Sequence, residues 1–179
     1  HNVRNSVAAV AVALTVGISI SDIKKRLLNF TGVQRRFNKI FTFKNINFYD
    51  DYAHHPTEIS SILESVRNVF KNKKIISVFE PHRYSRVLSL KKEFAKSFIK
   101  SDLVLLCPLY AAGEKRDSRY DQINFGKLIA KLSQTQVILL KDLREISIYL
   151  KKNFFKDELI IGMGAGLISK SMRELERTI

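Results

Sequence analysis

One stretch of the sequence decides how the rest is interpreted: Asp50-Asp51-Tyr52-Ala53-His54-His55-Pro56-Thr57-Glu58. The four residues before it, 46–49, alternate between apolar and polar side chains and predict a strand. The apolar residues after it recur at helical spacing, and proline suits the first position of a helix. We therefore expect the two acids at the end of a strand and the two histidines at the start of a helix. In an open α/β sheet, ligands bind at the edge formed by the carboxyl ends of the strands.

The remainder of the chain alternates between buried strands and helices. Short apolar runs at residues 75–79, 103–107, 137–140 and 159–161 predict strands, and a helical pattern follows each one. Residues 37–49 predict a hairpin ahead of them. Strands that alternate with helices form parallel sheets with helices on both faces. The predicted fold class is α/β, a three-layer Rossmann-like, mostly parallel sheet of about six strands.

The first 32 residues have a different pattern. Helical spacing covers residues 1–16 and 23–30, with Gly17 between them, and Ser21-Asp22 is expected to cap the second helix. The chain also begins with His1 inside a helical pattern and not with Met. We therefore expect a piece of a longer protein, divided into a helical remnant of a preceding domain at 1–32 and an α/β domain at 33–179.

Composition narrows the class of protein. The chain is 45% hydrophobic, which is typical of a globular protein. The longest apolar run is shorter than the ~18 residues of a membrane helix. The single cysteine, Cys107, excludes an internal disulfide framework and fits a reducing cytoplasm. The net charge of +14 is typical of nucleic-acid binding, but the basic residues are spread along the chain without a recognition motif. We expect anionic small-molecule substrates, with no nucleic-acid or membrane partner.

Most of the chemically interesting residues follow predicted strands, in four loops at 50–58, 80–86, 108–114 and 162–166. Because parallel strands end at the same edge of a sheet, these loops are expected to converge. Within the second loop, the guanidinium groups of Arg83 and Arg86 suit a carboxylate or a phosphate. A solvated basic turn is an equal alternative.

Three other features leave alternatives open. The turn Gly164-Ala165-Gly166 could bring backbone N–H groups to a phosphate, or it is simply a tight turn between a strand and a helix. His54 and His55 could be acid–base groups, metal ligands or surface histidines, but their surroundings lack the spacing of a zinc site. Asp50 and Asp51 could repel each other and stay solvated, although their position favours a binding role for one of them. No metal ligands are predicted.

Several motifs together resemble the Mur ligase family. Residues 1–5, His-Asn-Val-Arg-Asn, resemble the segment that ends the family's ATP-binding domain. The motifs at 35–37, 50–58, 81–86 and 110–114 follow in the family's order. The resemblance covers nearly the whole chain. The motifs at 50–58 and 81–86 are most similar to those of the members that act on L-alanine.

The resemblance implies an ATP- and Mg²⁺-dependent ligation of L-alanine to the lactyl carboxylate of UDP-N-acetylmuramate through an acyl phosphate. It implies contacts with adenine, phosphates and ribose for His1, Asn2, Asn5, Arg36 and Asp51. It places Tyr52, His54, Arg83 and Arg86 around the alanine and the acyl centre. It implies catalytic roles for the last three of these residues. The magnesium ligands are expected mainly in a domain that this sequence lacks.

Two departures from the family pattern matter. Leu167 stands where the family usually has a polar residue, often Asp, so a polar contact from that position is lost. The UDP-sugar domain and the phosphate-binding loop are absent from this sequence, so we expect it to be inactive alone. Two alternatives stay open: the ligase that attaches recycled peptides to UDP-N-acetylmuramate, and a non-catalytic basic α/β binding module.

Overall fold

The computed structural model describes residues 2–30, 33–153 and 157–179, apart from the side chain of Asn2. The chain divides into two compact units, His1–Val33 and Gln34–Ile179. This boundary lies next to the predicted one at residue 33. The origin of the first unit as a domain remnant stays a prediction.

The first unit consists of two helices, α1 (Asn2–Thr15) and α2 (Ile20–Leu28). Gly17 has a φ of +84°, which suits glycine just beyond a helix end. The cap of α2 is Ser19, whose Oγ accepts a hydrogen bond from the Asp22 N–H at 3.1 Å. The predicted cap at Ser21-Asp22 was therefore wrong, because the helix begins about one turn earlier than its apolar pattern indicates.

The second unit contains six strands and six helices among the described residues. In chain order they are β1 (Asn38–Phe43), β2 (Ile46–Asp51), α3 (Pro56–Val69), β3 (Lys74–Phe79), α4 (Tyr84–Ser89), α5 (Lys91–Lys96), β4 (Leu103–Leu106), α6 (Gln122–Ser133), β5 (Gln136–Leu139), α7 (Glu145–Lys152), β6 (Glu158–Met163) and α8 (Ile168–Thr178). None of the helices in the described ranges of either unit is long and apolar enough to cross a bilayer.

The strands form one sheet in the order β1-β2-β6-β3-β4-β5. The pair β1–β2 is antiparallel, and the other four pairs are parallel. Lys44 and Asn45 join the hairpin with φ angles of 46° and 68°, as a two-residue turn between twisted strands requires. The predicted fold class and the predicted hairpin are confirmed.

Helices cover both faces of this sheet. In β3, the side chains of Ile75 and Phe79 belong to the apolar cluster under α3, α4, α5 and α6. Ile76 and Val78 belong to the cluster under α7 and α8. Successive side chains of a strand point to opposite faces, so a strand that is covered on both sides must be apolar throughout. This requirement explains the continuous apolar runs in the sequence.

The carboxyl ends of the parallel strands lie at one edge of the sheet. The ladder continues past the strands there: the Glu80 N–H donates to the Met163 carbonyl at 3.0 Å, and the Cys107 N–H to the Phe79 carbonyl at 2.8 Å. The Leu140 N–H donates to Leu106 in the same way, at 2.9 Å. The loops that leave this edge therefore start side by side.

Candidate functional site

The loops after β3 and β4 are held together by their backbones. The Arg83 N–H donates to the Tyr110 carbonyl at 2.9 Å, and the Tyr110 N–H donates to the Pro81 carbonyl at 2.8 Å. His82 and Tyr110 form an isolated parallel bridge between these two bonds. The two loops thus extend the pairing of β3 and β4 by one bridge, and their side chains project from a hydrogen-bonded backbone.

Four rings from three of the predicted loops form a continuous row. Ring centroids are separated by 4.9 Å between Tyr52 and His54, 5.9 Å between His54 and His82, and 5.5 Å between His82 and Tyr110. We call Tyr52, His54, His82 and Tyr110 the ring row. It brings together Tyr52 and His54, which the sequence indicated, and His82, which it did not.

The hydrogen bonds of His54 identify its tautomer. Its Nδ1 lies 2.8 Å from the Tyr52 carbonyl oxygen and 3.5 Å from a carboxylate oxygen of Glu58. Both of these oxygens only accept, so Nδ1 carries the proton and donates it. In the neutral ring, Nε2 is then the basic nitrogen. The same Glu58 oxygen accepts the N–H groups of His54 and His55 at 3.0 and 3.1 Å, which fixes this backbone.

His55 has a structural role. It is the N-cap of α3, where its Nδ1 accepts the Thr57 N–H at 3.4 Å, and Pro56 occupies the first turn. The expected placement of both histidines at a helix start is confirmed. One imidazole caps the helix, and the other belongs to the ring row.

The two arginines of the second loop occupy different local structures. Arg83 is the exposed N-cap of α4, with a φ of +70° that costs energy for a residue with a side chain. Arg86 lies inside α4 and is half-buried, so the prediction of a loop through residue 86 was wrong. The helical pattern at residues 90–99 corresponds to α5, and α4, which precedes it and meets it at Leu90, was not predicted.

Arg86 contacts the ring row through His82. Its Nη1 lies 3.4 Å from His82 Nδ1. Burial lowers the pKa of His82 from 6.5, and the charges of Arg86, His54 and Arg83 lower it further, while Glu114 opposes them. Glu114 also accepts hydrogen bonds from the Ser85 hydroxyl at 2.5 Å and the Ser85 N–H at 3.1 Å, which joins the loop after β4 to the first turn of α4.

Asp50 and Asp51 end β2 with their side chains buried, 0% and 5% exposed, so the solvated alternative was wrong. Asp50 accepts hydrogen bonds from Ser169 and Arg173 in α8, at 2.5 and 3.1 Å. The two oxygens of Asp51 accept the N–H groups of Phe37 and Ala53, both at 2.7 Å. Burial raises the pKa of Asp51, against the lowering effect of these two bonds. The acid proposed for ribose therefore already organises the local backbone.

The neighbouring residues Arg35 and Arg36 also differ from each other in exposure and contacts. Arg36 is exposed, and its side chain suits an anionic ligand by charge and access. Arg35 is half-buried: its guanidinium donates to the Gly164 carbonyl at 2.6 Å and lies 4.5 Å from the centroid of the Tyr52 ring. Arg35 thus joins the glycine turn to the start of the ring row, which the sequence did not indicate.

A carboxylate from within the protein occupies the glycine turn. Glu80, 3% exposed, accepts the Ile168 N–H at 3.1 Å. Burial raises the pKa of Glu80, while hydrogen bonds from the N–H groups of residues 166–168 and the charge of Arg35 lower it. A Cβ on Gly166 would lie 2.5 Å from Glu80 Oε2. These contacts support the tight-turn alternative, since the N–H groups at the end of the turn, from residue 166 onward, already bind Glu80 and the Gly164 N–H donates to the Asp51 carbonyl at 3.4 Å. Leu167 is exposed and caps α8 only through its backbone.

A cavity of about 660 Å³ lies between this turn, α8 and β1. Four cationic side chains line it: Arg35, Lys170, Arg173 and Arg177. Two of them form ion pairs, Arg173 with Asp50 at 3.1 Å and Lys170 with Glu174 at 3.8 Å. These pairs reduce the positive potential that the lining would otherwise produce.

The remaining predicted residues belong to the first unit. Asn5 is exposed on α1. His1 and the side chain of Asn2 lie outside the described residues. Within the described ranges, no group of three His, Cys, Asp or Glu side chains is placed to hold a metal ion.

Comparison with known proteins gives a consistent result. The family described as "Mur ligase, glutamate ligase domain" matches residues 35–166. The UDP-N-acetylmuramate–L-alanine ligase of Pelagibacter ubique is 52% identical over all of this chain and 39% of its own length. That of Brachyspira hyodysenteriae is 40% identical over all of this chain and 38% of its own length.

Solved structures show the same similarity. The UDP-N-acetylmuramate-alanine ligase of Thermotoga maritima superposes with a TM-score of 0.77 at 28% identity, over 99% of this chain and 37% of that one. A murein peptide ligase of Psychrobacter arcticus has a TM-score of 0.74 at 21% identity, over 99% of this chain and 36% of its own, and shows the shared fold. The chain thus spans about two fifths of the length of the curated relatives described above.

Proposed function

The chain belongs to the Mur ligase family, and on that basis we propose that it is part of an ATP-dependent ligase that joins L-alanine to UDP-N-acetylmuramate. The product is a cytoplasmic precursor of peptidoglycan. Identity of 52% with a relative of that name supports this substrate pair. The observation that carries the proposal is the ring row, in which His54 has a fixed tautomer and its neighbour His82 contacts Arg86 at the sheet edge.

His54 takes a proton from the incoming amine. ATP, when bound, supplies the phosphoryl group that activates the lactyl carboxylate as an acyl phosphate. The ammonium group of alanine must lose a proton before its nitrogen can attack the acyl carbon. His54 accepts that proton at Nε2, because Nδ1 is committed to Tyr52 and Glu58. The new C–N bond forms, phosphate leaves with the electrons of the C–O bond, and the departing phosphate takes the second proton that the nitrogen loses.

Arg83 and Arg86 bind the carboxylate of L-alanine. A carboxylate that leaves water needs a charged, hydrogen-bonded partner, and the planar guanidinium offers paired N–H donors. Arg83 projects from the cap of α4, and Arg86 lies on its first turn beside His82. Tyr52, 38% exposed, forms a wall of the site beside His54. In this arrangement the carboxylate of the zwitterion contacts the two guanidinium groups and its amine contacts the His54 imidazole.

The nucleotide is held by the remaining residues of the proposal. His1, Asn2 and Asn5 contact adenine, Arg36 contacts the phosphates and Asp51 contacts ribose. The side chains of Asn5 and Arg36 are exposed, which supports their proposed contacts with adenine and with the phosphates. Asp51 reaches a ribose hydroxyl only through lone pairs left over from its two backbone bonds. Mg²⁺ would enter with the nucleotide, held mainly by residues outside this chain, and would screen the charge of the phosphates.

The test is phosphate release by the full-length protein that contains this chain. The proposal predicts release that requires ATP, UDP-N-acetylmuramate and L-alanine together. Release that requires a murein tripeptide in place of alanine would instead identify the recycling ligase, whose fold is also shared. Binding of polyanions without any turnover would identify a basic binding module and contradict the proposal.

A further inference from the structure

His82 takes no part in the proposed substrate binding or proton transfer, yet its backbone is held on both sides at the sheet edge. Hydrogen bonds on either side of it join Pro81 and Arg83 to Tyr110. Its half-buried ring lies between those of His54 and Tyr110, at 5.9 and 5.5 Å. A side chain supported in this way can hold its neighbours in position.

The charged groups around His82 favour a neutral ring. Arg83 and Arg86 approach from the start of α4, His54 from the loop after β2, and Glu114 from the loop after β4. Only Glu114 favours the imidazolium, and its oxygens already accept two bonds from Ser85. Burial and the guanidinium charges of Arg86 and Arg83 lower the pKa of His82 from 6.5. These surroundings therefore favour the uncharged form of the ring.

The contact with Arg86 then selects one tautomer. A guanidinium only donates, so His82 Nδ1 must be unprotonated to accept from Arg86 Nη1 at 3.4 Å. The proton of His82 consequently lies on Nε2. His54 has the opposite arrangement, with its proton on Nδ1. Two neighbouring histidines with opposite tautomers are a specific consequence of this geometry.

We propose that His82 is a positioning residue for the amino-acid substrate: it accepts a hydrogen bond from Arg86 and separates the ring of His54 from that of Tyr110. It thereby holds the guanidinium that binds the carboxylate and the imidazole that takes the amine proton at a fixed spacing. This role rests on the proposed ligase function. Protonation of His82 would turn Nδ1 into a donor that faces a donor, so Arg86 is released as the pH falls.

The first experiment measures the tautomers by NMR of imidazole nitrogens in the 179-residue chain. The four histidines are few enough to assign by single substitution. At pH 7.5 we expect the Nε2–H form for His82 and the Nδ1–H form for His54. A Nδ1–H or fully protonated His82 would overturn the proposal, whatever reaction the full-length protein catalyses.

The second experiment uses His82→Phe and His82→Gln in the full-length protein. Phenylalanine keeps a ring and removes the acceptor, so the KM for L-alanine should rise roughly 2- to 10-fold, the range for one neutral hydrogen bond. The KM for ATP should stay unchanged. Glutamine can accept from Arg86 and should restore part of the loss. In the unmutated protein, the KM for L-alanine should rise at low pH, because protonation of His82 releases Arg86. This rise should disappear in the phenylalanine variant.

Tyr84→Phe is the matched control, because Tyr84 lies on the same helix and its ring contacts Tyr120. It should leave both KM values unchanged. Equal changes in both KM values for His82→Phe, or no change in that for alanine, would refute the positioning role. Absence of alanine-dependent phosphate release in the unmutated protein would overturn the proposed function and this role with it, while the NMR result would still test the geometry.

Discussion

Asp51→Asn separates the structural role of this acid from its proposed role in ATP binding. Asp51 is 5% exposed, and its oxygens accept the N–H groups of Phe37 and Ala53, each at 2.7 Å. Asparagine has one acceptor oxygen and one NH₂ group. One of the two backbone N–H groups would then face another donor inside the protein.

The cost follows from the lost bond and from the relief of a buried charge. A hydrogen bond to a charged group contributes about 1.5–3 kcal/mol, and an unsatisfied buried donor costs about 1–3 kcal/mol. Burial disfavours the carboxylate, since the pKa of Asp51 is raised, and the neutral amide removes that penalty. We therefore expect a net loss of about 1–3 kcal/mol in the free energy of unfolding, or about 2–4 °C in Tm for each kcal/mol.

The assay is urea unfolding of the chain at pH 7.5, with Asp121→Asn as the control. Asp121 is the N-cap of α6 and accepts a single backbone N–H, from Asn124 at 2.6 Å. Because asparagine caps helices about as well as aspartate, this variant should stay within about 0.5 kcal/mol of the parent. Unchanged stability of Asp51→Asn, combined with a raised KM for ATP in the full-length protein, would refute the structural assignment and favour ribose binding.

Three further outcomes are expected. Arg83→Ala or Arg86→Ala in the full-length protein should raise the KM for L-alanine roughly 10- to 150-fold and that for ATP far less; the reverse pattern would assign this loop to the nucleotide. Gly166→Ala should lower the free energy of unfolding by about 1–3 kcal/mol, because its Cβ would meet Glu80 Oε2 at 2.5 Å; a neutral result in urea would contradict that contact. The raised pKa of Glu80 means that the folded state holds its proton more tightly than the unfolded state, so the stability of the parent relative to Glu80→Gln should increase as the pH falls towards 4.5 and decrease as it rises through the raised pKa. A difference that does not vary with pH would contradict the direction of this shift.

The local pattern of the sequence was sufficient for the main elements. Alternation over residues 46–49 placed β2, and the acids do end it. Continuous apolar runs identified the parallel strands, since only a strand covered on both faces needs them. Pro56 marked the start of α3. These features depend on residues close together in the chain, where periodicity and turn chemistry act.

The features that were missed depend on contacts between distant residues or on very short elements. Glu80 fills the glycine turn through a bond to Ile168, 88 residues away. The positive φ of Arg83 accompanies a bond to Tyr110. The helix α4 has six residues, too few for a 3.6-residue period to be recognised. Local pattern could not reveal the place of His82 either, because its neighbours come from two other loops.

The central claim is that this sheet edge binds the amino-acid end of the substrate, and a structure of the full-length protein with UDP-N-acetylmuramoyl-L-alanine tests it most directly. The measurement is the distance from the alanyl carboxylate oxygens to the guanidinium nitrogens of Arg83 and Arg86. We expect about 2.7–3.2 Å to at least one of them, with the amide nitrogen on the side of His54 Nε2. An alanyl carboxylate that binds away from the ring row, beyond hydrogen-bond reach of both arginines, would show that this sheet edge does not bind the amino acid.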